Sequence, residues 1–532
     1  MTENKGQTNK NKGKKGSQLV FYVSVAISAF IVLVGALNSE AFSEVAANLM
    51  VFIDDKFSWL YLLAMLAFVV FSLWLAFSRF GSIRLGPDDS KPQYSTVSWF
   101  AMLFCAGMGV GLVFWGISEP LSHYVSPAAG IEPGSGEAAR FSIRSCFMHW
   151  GVHPWAAYAI IGLGLAYFQF RKKMPGLISS LFAPLLGEEG VKGPIGKIID
   201  IFAVIVSVAG VATSLGMGCL QICGGLNYLC GFPNNARIWL LVIVIICCIY
   251  LLSATSGLDK GIKLLSNFNL CLAVALLILS FIIGPSIDIL ETFTTGVGDY
   301  LSHFVSDSLN ISPYEDNSWT LAWRVFYWAW WIAWAPFVGI FIARISRGRT
   351  IREFIIGVIV VPCIASVIWF SVFGGAALNA AGAFTLEELS QIVATPETAL
   401  FVIFNEYPMG GLLSIIAIVI LIIFFITSAD SATFVLSMLT SEGDMNPPNR
   451  KKIVWGVIQA AIAYVLLLSG GIQALQTASI AAAFPFVIIM ILACVSITKA
   501  LQEEITGKGK KDVVEITAEN AVENTAEKTN NP

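Results

Sequence analysis

Long apolar segments recur along almost the whole chain, and they constrain the fold more than any other feature. About twelve of them have roughly 18 or more residues, enough for an α-helix to cross about 30 Å of hydrocarbon. They lie near residues 19–37, 58–78, 96–117, 146–170, 198–226, 237–254, 263–284, 319–343, 353–376, 410–438, 453–469 and 473–498. Hydrophobic residues make up 56% of the chain and charged residues only 13%, against about a quarter charged in soluble proteins. The sequence therefore predicts an all-α protein that crosses a membrane about twelve times.

The distribution of basic residues predicts the orientation of these segments. Lysines crowd the N-terminal tail, and Arg171, Lys172 and Lys173 follow the fourth segment. The stretch 285–318 after the seventh segment contains acidic residues and no lysine or arginine. Positive charge favours the cytoplasmic side of a membrane protein. Both termini are therefore predicted to be cytoplasmic.

Two groups of aromatic residues suggest a ligand. Residues 328–334 contain four tryptophans, and Trp150, Trp155 and Tyr158 lie in another apolar segment. Aromatic faces, tryptophan above all, attract quaternary ammonium ions, which form no hydrogen bonds. The alternative is ordinary packing or an interfacial aromatic belt, which suits Trp323 and Trp455 better. We expect the two groups to form a cage for a methylated ammonium group within the membrane.

Helix-breaking residues occur at related places in two segments. The run Gly107–Gly111 lies in the middle of the third segment, and Pro336 lies in the eighth. In transporters, interrupted helices at matching places of two repeats mark the central site, although glycines also serve ordinary helix packing. The third and eighth segments are five apart. This spacing predicts two five-helix repeats of opposite orientation, preceded by two additional helices and with interruptions at both places.

The predicted organisation of the chain follows from these features. It comprises a basic cytoplasmic tail (1–18), two additional transmembrane helices (19–95), a first repeat (96–285), an extracytoplasmic amphipathic linker (286–318), a second repeat (319–498) and a largely disordered cytoplasmic tail (499–532).

Polar residues interrupt the tenth apolar segment. Thr427, Ser428 and Asp430 fall in the otherwise apolar stretch 424–431. Hydroxyls and the free carbonyls of an interrupted helix supply the neutral oxygen ligands that sodium needs, and intramembrane carboxylates are often functional. Serine and threonine in helices also commonly bond to the carbonyl four residues earlier. From the residues alone, both a sodium site and a purely structural role remain open.

Four motifs give the chain a resemblance to a known family. They are Trp328–Gly339 continuing to Arg349, Gly107–Gly111 with Trp115 and Glu119, His149–Trp155, and Thr427–Ser431. From about Phe21 to Leu501 the sequence resembles the betaine/carnitine/choline transporters, and the motifs occur in the family's order. The resemblance implies the five-plus-five inverted repeat of the leucine-transporter type. It also implies a homotrimer in the bacterial cell membrane.

The resemblance also implies a set of substrate contacts. The ammonium cage would be formed by Trp150, Trp155, Tyr158 and Trp331. The other implied contacts and pathway residues are Trp334, Gly109, Gly111, Trp330, Phe341 and Ser214. Trp331 and Trp334 share a helical face, as do Trp155 and Tyr158, which agrees with these roles.

A sodium site is implied in the same way. Its ligands would be backbone carbonyls near Cys105 and Met108, the carbonyl of Phe424, and the hydroxyls of Thr427 and Ser428. Sodium-independent relatives in the family carry a fixed positive side chain instead, and Leu270 stands at that position here. A second family site would use hydroxyls near Ser207 and Val211, and valine offers none. Sodium coupling is expected, with the second site lacking the hydroxyl that position 211 would supply.

The substrate prediction depends on Gly111. Choline-transporting members resemble this chain but carry aspartate there, because burying a lone cation is costly without a carboxylate. A zwitterion brings its own carboxylate, which free helix N–H groups can bind. Glycine betaine is therefore expected, with dimethylsulfoniopropionate, proline betaine, ectoine and carnitine left open.

The predicted activity is import of this zwitterion by sodium symport with alternating access. A sodium-independent betaine/carnitine exchanger and a choline carrier remain alternatives. The sequence disfavours an enzyme, because the four histidines form no metal-binding pair with an acidic partner. It also contains no re-entrant filter or acidic ring typical of a channel. Beyond the coupling ion, no cofactor is expected, and no nucleic-acid partner.

Overall fold

The computed structural model describes residues 3–107, 109–256 and 259–529, with side chains placed for residues 18–104, 109–256 and 263–507. Regular structure in these ranges is helical, apart from one isolated antiparallel bridge between Arg84 and Thr350. The all-helical fold predicted from the apolar segments is confirmed.

Seventeen α-helices succeed one another along the described residues. The first nine are α1 (Glu3–Leu37), α2 (Ser39–Phe77), α3 (Thr96–Gly107), α4 (Val110–Val125), α5 (Gly136–Trp150), α6 (Val152–Ala166), α7 (Ala183–Lys192), α8 (Pro194–Cys230) and α9 (Ala236–Ser256). The others are α10 (Asp259–Ile283), α11 (Ser286–Leu309), α12 (Phe326–Ile345), α13 (Ile351–Ala380), α14 (Leu386–Ala394), α15 (Pro396–Asn405), α16 (Gly410–Leu439) and α17 (Asn449–Thr529). Short 3₁₀ or π-helical turns cover Arg79–Ser82, Tyr167–Arg171, Ile178–Phe182, Thr320–Val325 and Ala381–Ala383.

By length and composition, nine helices in the described part of the chain are suited to cross a membrane. The count of twelve stays a prediction, and the difference has identifiable origins. The third and fourth predicted segments are each divided into two shorter helices. The last two predicted segments form one long helix, α17, which is kinked where Gly470 and Gly471 depart from helical backbone angles.

The glycine run interrupts the third segment as predicted. α3 ends at Gly107, and Gly109 has the extended backbone angles φ −162° and ψ −176° before α4 begins at Val110. The prediction of a helix interruption at Pro336 is wrong, because α12 continues through this residue. A proline removes one N–H from the helix ladder, and in a packed membrane helix the neighbouring helices tolerate this loss. α12 packs against α6, α8 and α17.

A second interruption, not predicted, divides the fourth segment at Gly151. Its angles of φ −91° and ψ −124° separate α5 from α6. The N–H of Val152 at the start of α6 donates to the Tyr300 hydroxyl at 3.1 Å. Pro154 in the first turn of α6 lacks an N–H that would have no intrahelical partner there. Glycine followed three residues later by proline was the sequence signal for this break.

Close contact between α6 and α12 brings the two aromatic groups together. A Cβ atom at Gly162 would stand 2.5 Å from Ile342 Cγ1, and one at Gly339 would stand 2.6 Å from Ile161 Cγ2. The missing side chains let the two helix backbones approach, as small residues do in membrane helix pairs. The aromatic residues of α6 therefore lie beside those of α12.

Ion pairs fasten the amphipathic helix α11 to α5. Arg140 forms two hydrogen bonds to the Asp299 carboxylate, at 2.6 and 2.9 Å. Arg144 Nε lies 2.8 Å from Asp307 Oδ2. The guanidinium of Arg140 holds the pKa of Asp299 below its usual value. Because α5 ends at Trp150, these pairs fix the helix that carries one of the predicted cage residues.

Candidate functional site

A cavity of about 290 Å³ lies among the central helices. Its walls include every substrate and pathway residue predicted from the sequence. These are Trp150, Trp155, Tyr158, Trp331, Trp334, Gly109, Gly111, Trp330, Phe341 and Ser214. The volume is near the lower end of the range of about 300–1,000 Å³ that is usual for small-molecule sites.

The aromatic rings form a connected wall. The ring centroids of Trp150 and Trp331 are 4.8 Å apart at an interplanar angle of 70°. Tyr158 meets Trp331 at 6.5 Å and 84°, and Trp155 meets Tyr158 at 5.3 Å and 86°. Because neighbouring rings stand nearly at right angles, their faces can border the cavity from different directions. A cation there would contact several faces at once, as in known aromatic cages.

Each of three cavity tryptophans has its indole N–H held by a fixed acceptor. Trp331 donates to the backbone carbonyl of His149 at 2.8 Å, and Trp334 donates to that of Gly210 at 2.9 Å. Trp150 donates to the Glu119 carboxylate at 2.8 Å. A buried indole N–H needs such a partner. These bonds fix the ring planes before any ligand arrives.

The glycines at the start of α4 form another part of the wall. Gly109, Val110, Gly111 and Leu112 all line the cavity. The first N–H groups of a helix have no intrahelical acceptor, and the helix dipole makes this end attractive to anions. The start of α4 can therefore bind a carboxylate while the rings bind an ammonium group.

The hydroxyl-bearing residues of α16 also reach the cavity. Phe424, Thr427 and Ser428 line it. The Thr427 hydroxyl lies 2.9 Å from the Ile423 carbonyl and 3.3 Å from the Phe424 carbonyl, in the helix-bonded geometry that the sequence left open. Such a hydroxyl still offers lone pairs to a cation.

The other predicted sodium ligands are only partly described. Met108 lies outside the described residues, and the side chain of Cys105 is likewise outside them. At the second sodium position, Ser207 donates to the Ala203 carbonyl at 2.7 Å and Val211 is buried. Neither Ser207 nor Val211 lines the cavity. Both sodium sites therefore stay predictions.

Several polar residues of the cavity were missed at the level of sequence. Asn269 of α10 is 1% exposed, and neither its side-chain oxygen nor its nitrogen has a hydrogen-bond partner among the described residues. It lines the cavity with Ser266 and Ser366, and also with Ser431, which belongs to the motif Thr427–Ser431. Isolated polar residues within apolar segments were the available signal. They add neutral hydrogen-bonding groups.

Charged side chains are absent from the described lining of the cavity. The acidic group Glu119 is fully buried and lies behind Trp150 rather than in the lining. In the sequence, Glu119 stands out only as part of the motif that begins with Gly107–Gly111. An ionisable residue within a membrane segment is a functional candidate in its own right.

A bundle of long apolar helices around a central cavity with interrupted helices defines the class of polytopic membrane transporters. This chain belongs to the betaine/carnitine/choline transporter family. The model of that family, described as "BCCT, betaine/carnitine/choline family transporter", matches residues 19–506. Membership confirms the resemblance found in the sequence, and it points to a transporter rather than an enzyme.

Curated relatives are similar over nearly their whole length. A glycine betaine transporter of Bacillus subtilis, OpuD, is 50% identical over 489 residues, covering 91% of this chain and 94% of its own. A probable glycine betaine transporter of Desulfitobacterium hafniense is 46% identical over 499 residues, covering 92% and 98%. An ectoine/hydroxyectoine transporter of Virgibacillus pantothenticus is 45% identical over 488 residues, covering 91% and 96%.

Proposed function

We propose that this protein imports glycine betaine, or a closely related zwitterionic solute, across a bacterial cell membrane by sodium symport. The observation that carries the proposal is the cavity itself. It combines aromatic faces, a helix N-terminus and hydroxyl groups, and no charged side chain occurs in its described lining. A zwitterion matches this combination because it supplies both charges itself.

The two ends of glycine betaine have separate places in the cavity. The trimethylammonium group would contact Trp150, Tyr158 and Trp331, and each ring would contribute about 0.5–2 kcal/mol when desolvated. The carboxylate would accept hydrogen bonds from the free N–H groups at Gly109–Leu112. Choline has no carboxylate for that second place, so the cavity favours betaine over choline.

Two relatives named for glycine betaine and one named for ectoine and hydroxyectoine support this substrate class. Ectoine differs from betaine because its cationic group carries N–H donors. The aromatic wall suits a fully methylated ammonium, which needs no acceptor. Glycine betaine is therefore the first choice and ectoine the main competitor.

Sodium would bind between the end of α3 and the middle of α16. The Thr427 and Ser428 hydroxyls and the Phe424 carbonyl would serve as ligands, together with carbonyls near Cys105 and Met108. Leu270, which lines the cavity, leaves the site without a fixed cation in place of sodium. The proposal also includes two five-helix repeats and a homotrimer, which the family resemblance implies. It places both termini in the cytoplasm, as the distribution of basic residues predicts.

Transport would follow from alternating access. Sodium and substrate would bind together on the outer side, draw the two halves of the interrupted α3–α4 segment toward α16, and leave on the inner side. The membrane potential would contribute about 2.3 kcal/mol per charge per 100 mV. An exchanger would not require this coupling.

The test is uptake of labelled glycine betaine into proteoliposomes of the full chain. An inward sodium gradient is compared with an equal potassium gradient, and unlabelled betaine, choline, carnitine and ectoine serve as competitors. Sodium-dependent uptake that betaine inhibits best is expected. Uptake that ignores sodium but requires betaine or carnitine inside would establish an exchanger, and stronger inhibition by choline or ectoine would correct the substrate.

A further inference from the structure

Glu119 of α4 is a fully buried carboxylate surrounded by side chains that can donate hydrogen bonds to it. Its Oε1 lies 2.8 Å from His149 Nδ1 and 3.3 Å from His123 Nε2. Its Oε2 accepts the Trp150 indole N–H at 2.8 Å and also the Tyr327 O–H. A buried carboxyl with this many partners is an organised part of the structure.

The positions of the hydrogen atoms follow from these partners. Trp319 donates its indole N–H to His123 Nδ1 at 3.2 Å. Since that nitrogen accepts, a neutral His123 carries its hydrogen on Nε2 and donates it to Glu119. Trp150 can only donate. With His149 donating from Nδ1, the four partners are neutral donors and the carboxylate itself carries the negative charge.

Metal binding does not explain the cluster. Ligand atoms of Glu119, His123 and Cys146 lie within 4.8 Å of one another. However, His123 Nδ1 already accepts from Trp319, and the Glu119 oxygens already accept from Trp150 and the other donors. A metal ion would have to displace these hydrogen bonds. The donor set is that of a hydrogen-bond network around an anion.

The network reaches the candidate site most directly through Trp150. Trp150 lines the cavity and packs edge-to-face on Trp331, while its N–H is bound to Glu119. Tyr327, the other partner of Oε2, packs on Trp150 with ring centroids 5.6 Å apart. One carboxylate oxygen therefore holds both rings in place.

We propose that Glu119 is a positioning residue of the ammonium site, an inference that rests on the proposed function. Its carboxylate fixes the Trp150 indole and places a negative charge one hydrogen bond behind the ring that the ammonium contacts. In a membrane interior of low dielectric, this charge acts over several ångströms. An anion at the N–H also enriches the ring in electron density, which strengthens its attraction for a cation.

This role gives the cavity a means to discriminate charge. Aromatic faces offer a neutral tert-butyl group and a trimethylammonium group the same shape and apolar contact, and only the ring quadrupole favours the cation. A fixed negative charge behind one face favours only the cation. The matched probe is 3,3-dimethylbutanoate, in which carbon replaces the ammonium nitrogen of glycine betaine and the carboxylate is retained.

The experiment measures the Kd of both probes for the purified, reconstituted full chain and for Glu119→Gln. We expect the Kd of glycine betaine to rise about tenfold in the variant, while the Kd of 3,3-dimethylbutanoate stays constant or falls. An equal rise in the Kd of both probes would show that Glu119 has only a structural role. An unchanged preference for betaine would overturn the proposal.

A matched control is Asp200→Asn. Asp200 is a buried carboxylate on α8 that accepts from the Ser179 N–H and hydroxyl, and it does not line the cavity. It tests what the loss of any buried carboxylate does to the protein. The ratio of the two Kd values should stay at the wild-type level in this control.

Trp150→Phe provides a second route if Glu119→Gln does not fold. Phenylalanine keeps an aromatic face but loses the N–H, so the preference for betaine should fall severalfold. An unchanged preference in this variant would overturn the proposal. If Glu119→Gln folds, the double variant Glu119→Gln with Trp150→Phe should lose little more of the preference for betaine than either single variant. Both changes break the same hydrogen bond between Glu119 and Trp150.

The wild-type measurement separates the two levels of inference. Wild-type protein that binds neither probe overturns the proposed function and, with it, the role of Glu119. Wild-type protein that prefers betaine, with Glu119→Gln retaining that preference, overturns only the role of Glu119.

Discussion

Gly111 of α4 lies so close to Trp150 that a Cβ atom on it would stand 2.8 Å from Trp150 Cη2. The same Cβ atom would stand 2.9 Å from Trp330 Cη2. Two rigid ring edges thus occupy the space that a side chain at position 111 would need. An aspartate here, the residue of the family's choline-transporting members, would require both rings to move. Because the two rings fill the space beside Gly111, this wall has no room for a carboxylate side chain at position 111.

Replacement of Gly111 by alanine should therefore weaken substrate binding. The added methyl group forces Trp150 or Trp330 out of position, and overpacking of this kind costs about 1–3 kcal/mol. The KM for glycine betaine in proteoliposome uptake should rise about tenfold or more. Gly298→Ala on α11 is the control, since a Cβ atom there meets no atom within 4 Å. A wild-type KM in Gly111→Ala would show that the rings do not bind the substrate in this arrangement.

Trp331→Leu should remove one face of the cage while keeping an apolar residue. The loss of a desolvated ring–cation contact is worth about 2 kcal/mol, or roughly a 30-fold rise in Kd. Equilibrium binding of labelled betaine to purified protein measures it. Trp59→Leu is the control, because Trp59 is half exposed on α2 and lies outside the cavity lining. Normal betaine affinity in Trp331→Leu would contradict the cage.

Thr427→Val combined with Ser428→Ala should change the sodium response more than the substrate response. The pair of changes removes two candidate ligands while preserving the size of the side chains. The sodium concentration for half-maximal uptake should rise about tenfold or more, with the betaine KM at saturating sodium nearly unchanged. Thr498→Val, which removes another helix-bonded hydroxyl outside the cavity lining, is the control. An unaltered sodium response would place the ion elsewhere.

The Arg140–Asp299 pair predicts a small pH dependence of stability. The pKa of Asp299 is lowered because Arg140 donates to its carboxylate. A carboxyl whose pKa is lower in the folded state stabilises the protein above its unfolded pKa of about 3.9, and this stabilisation is lost as the pH falls through the folded pKa. Asp299→Asn should lower the melting temperature near pH 7 by only about 1 °C, because Arg140 is largely exposed and solvent screens the pair.

The same comparison at low pH checks the sign of this effect. Near pH 3 the difference in melting temperature between wild type and Asp299→Asn should shrink toward zero. Glu291→Gln, which alters an exposed carboxylate on the same helix, serves as control. A difference that grows as the pH falls would contradict the assignment.

Much of the site was readable from the residues themselves. The density of rings in apolar segments and the family motifs single out the tryptophans of segment 328–334 and the group Trp150, Trp155 and Tyr158. The structure places all of them except Trp328 on one cavity. The glycine run predicts a helix break, and α3 does end at Gly107. These features are local, since a run of glycines or a crowded set of rings acts on its own stretch of backbone.

Other features were misjudged because they depend on distant partners. Pro336 carries a local signal for a break, yet α12 continues through it between its packed neighbours. Gly151 carries a weaker local signal, yet α5 ends beside it and the hydroxyl of Tyr300 accepts the freed Val152 N–H. Whether a helix tolerates or needs an interruption depends on which groups from elsewhere in the chain can satisfy its backbone.

The sequence by itself determined that this chain is a helical membrane protein, which family it belongs to, and which residues bear the aromatic faces. Hydropathy and motif identity need no partner to be read. Only the tertiary structure decided that two indole rings fill the space beside Gly111 and that Glu119 accepts the hydrogen bond of the Trp150 indole. Each of these contacts joins residues on different helices, 31 positions apart for Glu119 and Trp150. Helix packing brings such pairs together, and no local periodicity encodes which side chains will meet.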